Sequence, residues 1–304
     1  MIKFIKHNDV DTEKWDKCIR KSVNCLPYAF SWYLDIVTNQ WDALVLNDYE
    51  AVFPLPSKSK FKLTYSSTPF WVQQLGLFSL TCSSLSRIND FVDAIPDSYR
   101  FIDLNMNFNA DVNQSSSIKI QTNNNYVIQL DKTYKEVKEQ YSKNLSRNLK
   151  KSLTQNLQLF KNDSPSGLIN LFRADRGKTI KHFSEEDYKR LETIMHVAIH
   201  KNCGQIWMAY GEGNRPLAGM FLLFSPTRVV MLFTGNSKEG KELGAMPFLI
   251  DSFLKESANS GLIFDFEGSN DLNLARFYKS FGAKNETYQN LKINRLPLLL
   301  KFLK

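Results

Sequence analysis

Residues 205–233, QIWMAYGEGNRPLAGMFLLFSPTRVVMLF, decide how the second half of this chain folds. Three apolar runs, 205–210, 217–224 and 228–233, are separated by short stretches that hold Gly211-Glu212-Gly213-Asn214 and Ser225-Pro226-Thr227. Connections that short return a strand directly beside its predecessor, whereas a parallel crossover needs a dozen or more residues. The stretch therefore predicts a three-stranded antiparallel meander.

Working outward, residues 244–260 read as a helix, 262–266 as a buried strand, 272–281 as a helix and 286–293 as a closing strand. Upstream, Ser184 with Glu185 and Glu186 marks a helix start over 185–201, because a hydroxyl cap and first-turn carboxylates satisfy the free N–H groups and the helix dipole. Its inward face carries Leu191, Ile194, Met195 and Ala198. Residues 133–153 predict one long helix, with Val137, Tyr141, Leu145 and Leu149 on one face and Lys143, Arg147, Lys150 and Lys151 on the other. The order is α-α-β-β-β-α-β-α-β.

The first half reads as helices over 12–21 and 28–39, then a hairpin of 42–46 and 49–55 turning at Asn47 and Asp48. Strands over 60–65 and 100–104 and a helix over 85–94 follow. Residues 109–125 are polar, with Gln114-Ser115-Ser116-Ser117 and Thr122-Asn123-Asn124-Asn125, and read as a loop-rich joint. A boundary near residue 130 gives domains 1–130 and 131–304.

A length of 304 residues with 43% apolar and 23% charged residues suits two domains of about 150 residues each. No apolar run approaches the roughly 20 residues of a membrane span, and Asp9, Asp11, Glu13 and Asp16 interrupt what a signal peptide would need, so a cytoplasmic chain is expected. Cys18, Cys25, Cys82 and Cys203 lack disulfide or zinc spacing, and His196 with His200 has no third ligand, so no metal site is expected. The formal charge of +8 favours an anionic partner. Nucleophile-elbow, P-loop and dinucleotide fingerprints are missing from the sequence.

Two local motifs carry a resemblance. Lys238-Glu239-Gly240-Lys241-Glu242-Leu243-Gly244-Ala245 stands where the GNAT acyl-CoA N-acyltransferases place a glycine-rich loop that opens a helix onto a pyrophosphate, although here a single helix-opening glycine is followed by Ala245. Phe277-Tyr278-Lys279-Ser280-Phe281-Gly282 is similar to the GNAT helix whose tyrosine precedes a glycine by four residues. A longer resemblance runs through Pro69-Phe70-Trp71-Val72-Gln73-Gln74-Leu75-Gly76, residues 141–151 and Phe264-Asp265-Phe266-Glu267-Gly268. Together these resemble the double-GNAT group that includes the Fem-type, FemAB-like aminoacyltransferases.

The resemblance implies an α+β fold of tandem GNAT-like domains, each a mostly antiparallel central sheet flanked by helices, with the first copy degenerate. It also implies a transferase moving an acetyl, other acyl or aminoacyl group from acyl-CoA or aminoacyl-tRNA directly to an amine on a small molecule or peptide. In that reading Tyr278 assists the leaving group. Asp265 and Glu267, two apart on a strand and hence on one face, are the candidate bases. Lys241, Gly244, Ala245 and Met246 would meet the phosphates of coenzyme A, and Gln73, Gln74, Lys143 and Arg147 would bind substrate. Transfer RNA and a membrane-linked precursor are the implied larger partners, and the tail 296–304, with Lys301 and Lys304, would rest on a membrane or pack on the first domain. The competing reading is a GNAT-fold module without catalysis that recognises a nucleic acid or a cell-envelope intermediate.

Overall fold

The structure, a computed structural model, describes residues 1–60, 63–180, 183–268 and 270–297. The chain divides into two compact units, Met1–Asn124 together with the segment from Glu286, and Asn125–Asn285. The sequence reading instead assigned everything from 131 to 304 to the second domain. The closing segment groups with the first unit because its strand completes that unit's sheet and buries Leu291 and Ile293 in its core.

In the first unit, β1 (Ile2–Ile5), β2 (Trp41–Leu46) and β3 (Ala51–Pro56) form an antiparallel sheet, and helices α1 (Thr12–Lys21) and α2 (Ser31–Val37) lie between β1 and β2 in sequence. Helix α1 starts where Asp11 accepts the Lys14 N–H. The hairpin turns where Asn47 and Tyr49 take left-handed backbone angles. Next come β4 (Lys58–Lys60), β5 (Leu63–Ser67), the short β6 (Phe78–Ser79), helices α3 (Cys82–Leu85) and α4 (Ile88–Asp93), and β7 (Tyr99–Asn105). Strands β5 and β7 run parallel, with α3 and α4 in the crossover.

The polar joint expected at 109–125 is strand in its second part: β8 spans Ile118–Gln129. Asparagines weaken strand propensity. Here Asn123 and Asn125 are buried, Asn125 Nδ2 donating to Asp265 Oδ2 at 3.1 Å while its Oδ1 has no hydrogen-bond partner among the described residues.

The second unit continues with α5 (Tyr134–Glu139) and α6 (Lys143–Ser152), so the single helix expected over 133–153 is two. Tertiary contacts impose the break. The Ser142 N–H donates to the Ser280 carbonyl at 2.8 Å, and its hydroxyl caps Leu145, starting α6 afresh. Strand β9 (Gln158–Lys161) and helix α7 (Pro165–Ala174), both unforeseen, precede α8 (Glu185–His200). The meander is present as β10 (Gly204–Gly211), β11 (Arg215–Phe224) and β12 (Arg228–Asn236). It leads through α9 (Lys238–Leu243), α10 (Ala245–Glu256), β13 (Ile263–Asp265) and α11 (Leu272–Lys279) to β14 (Lys284–Asn294), which pairs antiparallel with β7.

The strand order within this unit is β8-β13-β12-β11-β10-β9. Its core joins α6 and α10 to the sheet through Leu145, Leu149, Leu249 and Phe253 against Trp207, Met220 and Phe264. Among the described residues no helix is long and apolar enough to cross a membrane. The expectation for the tail falls mostly on 298–304, which lie outside the described residues, as do 61 and 62 of the strand read over 60–65.

Candidate active site

Two neighbouring strands that part company make the site. β12 pairs with β13 in parallel only from Arg228↔Ile263 to Val230↔Asp265, while on its other side it follows β11 as far as Ala218↔Asn236. From Met231 onward one edge of β12 therefore has no ladder partner among the described residues. Backbone N–H and C=O groups along such an edge need water or a ligand. On the opposite lip, Glu267 and Gly268 both take positive φ, 56° and 47°, and turn the chain away. For Glu267 this is a sparsely populated conformation, held in part by its N–H donating to Asp265 Oδ1 at 2.8 Å.

A bulge arranges the wall. Phe221 is opposite Phe233 and Leu222 opposite Met231, so Leu232 is an extra residue in β12. In an unbroken strand Met231 and Thr234 would face opposite sides; the extra residue turns Met231, Thr234 and Asn236 to the same one. All three line a cavity of about 520 Å³. The Asn236 Oδ1 is buried there without a hydrogen-bond partner among the described residues.

Helix α11 forms the facing wall through Leu274, Phe277 and Tyr278, which share one helical face at i, i+3 and i+4. Asp271 fixes its start by accepting the Asn273 and Leu274 N–H groups at 2.8 and 3.1 Å. Those bonds, with Arg176 nearby, hold the Asp271 carboxyl below the usual range. Tyr278 stacks on Phe266 at 4.6 Å between ring centroids. Burial, then the negative field of Glu267, pushes its phenol up to about 12, against a lowering by Arg176. Tyr278 is therefore protonated throughout the physiological range.

Helix α7 and the turn after it supply Phe172, Asp175, Arg176 and Thr179 to the cavity, none of which the sequence reading named. The signal was present: Ser164 followed by Pro165 is a helix start, and Leu168, Ile169 and Phe172 form its apolar face.

The residues expected to hold donor phosphates separate. Lys241 and Met246 line the cavity, and Lys241 is ion-paired with Asp175. Gly244 does not line it: with φ 73 it is the corner between α9 and α10, facing Ser152 and Asn148 of α6. Ala245 is fully buried in the core. The glycine-rich loop expected here is thus a helix, and the first turn of α10 contains Pro247, which has no N–H to offer an anion. For a phosphate the cavity retains the Lys241 and Arg176 side chains and little backbone.

Asp265 is corrected as a base. It and Arg228 are each 1% exposed and pair at 2.6 Å, and the same carboxylate accepts from Asn125 and from the Glu267 N–H. A buried charge so fully engaged anchors the sheet rather than collecting a proton from an amine. Glu267 is half-buried at the lip of the splay and reaches Tyr278 through its field, though it does not line the cavity.

Lys143 and Arg147 are exposed on α6 and outside the lining, Arg147 donating to Asn144 Oδ1 at 2.8 Å. Gln73 and Gln74 belong to the first unit. Gln74 is fully buried and donates to Gln73 Oε1 at 2.7 Å, while its own Oε1 has no partner among the described residues. The described residues hold no cluster of three His, Cys, Asp or Glu suited to a metal.

No family model matches the chain, and no curated protein matches it in sequence. Solved structures match its fold. FemX is 13% identical with a TM-score of 0.70, covering 97% of this chain and 98% of that one. A conserved protein of unknown function from Bacteroides thetaiotaomicron is 9% identical with a TM-score of 0.60 over 97% and 100% of the two chains. L-PGS from Bacillus licheniformis is 10% identical with a TM-score of 0.58 over 96% and 95%. The chain therefore has the mixed α and β, GNAT/FemAB-like double-domain fold that its motifs implied.

Proposed function

We propose that the second unit transfers an acyl or aminoacyl group directly to an amine at the splayed edge of β12. The observation that carries this is Tyr278: a protonated phenol on the wall of a cavity that opens where β12 and β13 separate. The neighbouring FemX and L-PGS folds support the reading at the level of architecture.

The chemistry assigns each group a task. The amine nitrogen attacks the carbonyl carbon, forming the C–N bond as the bond to the donor's sulfur or oxygen breaks. Glu267, directly or through one water, takes the proton shed by the nitrogen, and the Tyr278 hydroxyl hydrogen-bonds and protonates the departing atom. The open edge of β12 supplies backbone groups that orient amide-bearing substrate. Lys241 and Arg176 meet the donor's phosphates, and the apolar wall of Phe172, Met231, Leu274 and Phe277 excludes water from the carbonyl.

Calorimetric titration with coenzyme A and acetyl-CoA, repeated with Lys241→Ala and at raised salt, tests the donor. Saturable binding weakened by the substitution supports an acyl-CoA donor, and no binding moves the donor to an aminoacyl ester. Glu267→Gln and Tyr278→Phe turning over at the full wild-type rate would sink the assignment of roles.

A second reading, a recognition module without turnover, is favoured by one feature: the stretch 238–244 forms a helix and a corner where a phosphate cradle was implied. Tight binding of donor with no transfer to any amine would establish it.

A further inference from the structure

Helix α6 carries four cations, Lys143, Arg147, Lys150 and Lys151, all exposed, with successive residues 100° apart placing them within about 100° of arc. Among the described residues none of the four has an ion-pair partner. Five other cations of the same unit do have one: Lys161 pairs with Glu256, Arg173 with Glu185, Arg190 with Glu186, Arg215 with Glu239 and Lys241 with Asp175, whereas α6 gathers four unpaired cations on one face. An isolated helix pays for this arrangement, because like charges at i, i+4 such as Lys143/Arg147 and Arg147/Lys151 repel. The helix dipole explains Lys150 and Lys151 in the last turn but not Lys143, which occupies the first helical position, where a cation is unfavourable.

Beside this face Leu153, the C-cap residue, is 66% exposed. The opposite face of α6 is fixed in the core through Leu145 and Leu149, so the basic face is presented outward on a rigid support.

We propose that the basic face of α6 docks the protein on an anionic lipid surface, with Leu153 as an apolar anchor at its edge. The charges match a headgroup layer of phosphates, and an exposed leucine gains free energy by entering the acyl boundary. A nucleic-acid backbone would use the cations but not the leucine. The four cations also stand without an aromatic among residues 143–154, so the face lacks the stacking platform with which single strands are held. Docking of this kind is peripheral and does not depend on which reaction the cavity performs.

Co-sedimentation of the full chain tests it, with vesicles of neutral phosphatidylcholine and with vesicles containing about 30% anionic phosphatidylglycerol, at low and high salt. Binding is expected only to the anionic vesicles and is expected to disappear at high salt. Each of K143Q, R147Q, K150Q and K151Q should weaken it roughly fivefold, and the quadruple variant about a hundredfold or more. L153S should weaken it roughly fivefold without altering its salt dependence. Circular dichroism of the variants confirms that α6 is intact, and L153S alone, with all four charges kept, remains a test should the quadruple variant misfold. No binding of wild type to anionic vesicles overturns the proposal, as does equal binding by every variant. Tighter binding to duplex RNA through the same cations, unaffected by L153S, overturns it in favour of a nucleic-acid face.

Discussion

Each unit contains a pair of parallel strands joined by a helical crossover, and the two pairs end differently. In the first unit β5 and β7 stay together from Thr64↔Tyr99 to Ser67↔Asp103, and the chain beyond is stitched on. The Thr68 N–H donates to the Asp103 carbonyl, the Asn105 N–H to Thr68 Oγ1, the Leu75 N–H to the Asn105 carbonyl, and Leu75 bridges Met106 in parallel. In the second unit β12 and β13 pair over three residues and then diverge, leaving an open edge, a cavity and Tyr278. One architecture is sealed by its own loop, and the other keeps the gap for something else. A gap of unpaired backbone is costly unless occupied, so an open edge beside a roomy cavity is the better place to look for chemistry.

Removing the Tyr278 hydroxyl would break that contrast most sharply. Tyr278→Phe is expected to lower turnover about 10²–10⁴-fold while shifting Tm by only a few degrees, measured by steady-state kinetics beside thermal denaturation once a substrate is in hand. Full turnover would mean that the splay is not where the reaction occurs.

The two buried carboxylates extend the comparison to stability. Asp265 is neutralised by Arg228, itself 1% exposed, whereas Asp42 of the first unit receives Lys6, which is 61% exposed, with the Tyr99 hydroxyl at 2.7 Å and the His7 N–H. Arg228→Met strands a buried charge and should cost about 3–5 kcal/mol in urea unfolding. Lys6→Met removes a partner already bathed in water and should cost no more than about 1 kcal/mol. Equal costs would show that the two anchors are alike after all.

A smaller effect is expected at Gly240, where α9 lies so close to β11 that a Cβ would run into the Leu217 carbonyl and stand 2.6 Å from Asn236 Oδ1. Gly240→Ala should cost about 1–3 kcal/mol and move Lys241 and Asn236, weakening donor binding. Unchanged stability would mean that α9 is free to shift.

The smallest effect is in alkali. The Tyr278 phenol is raised from 10 to about 12, first by burial, so its contribution to stability is complete below pH 10 and is lost as the pH rises through about 12. Tyr99 of the first unit is raised further still, again by burial first. Absorbance titration near 295 nm is expected to show late-titrating tyrosines, one of which Tyr278→Phe removes.

Much of this was legible from local pattern alone. The meander announces itself through its short turns and α8 through a cap residue that agrees with its apolar face, and the motifs single out Tyr278, Lys241 and Met246, all three of which line the cavity. What the sequence determined about this protein is therefore its set of locally consistent elements and the fold they imply. The tertiary structure decided the rest. Ser280 breaks the long helix at Ser142, Asn125 is held in β8 by burial and its bond to Asp265, and Asp265 is paired with Arg228, 37 residues away. The physical reason is common to all three: periodicity reports which face of an element is buried, but where two strands stop pairing, and which charge neutralises which, depend on residues that only folding brings together.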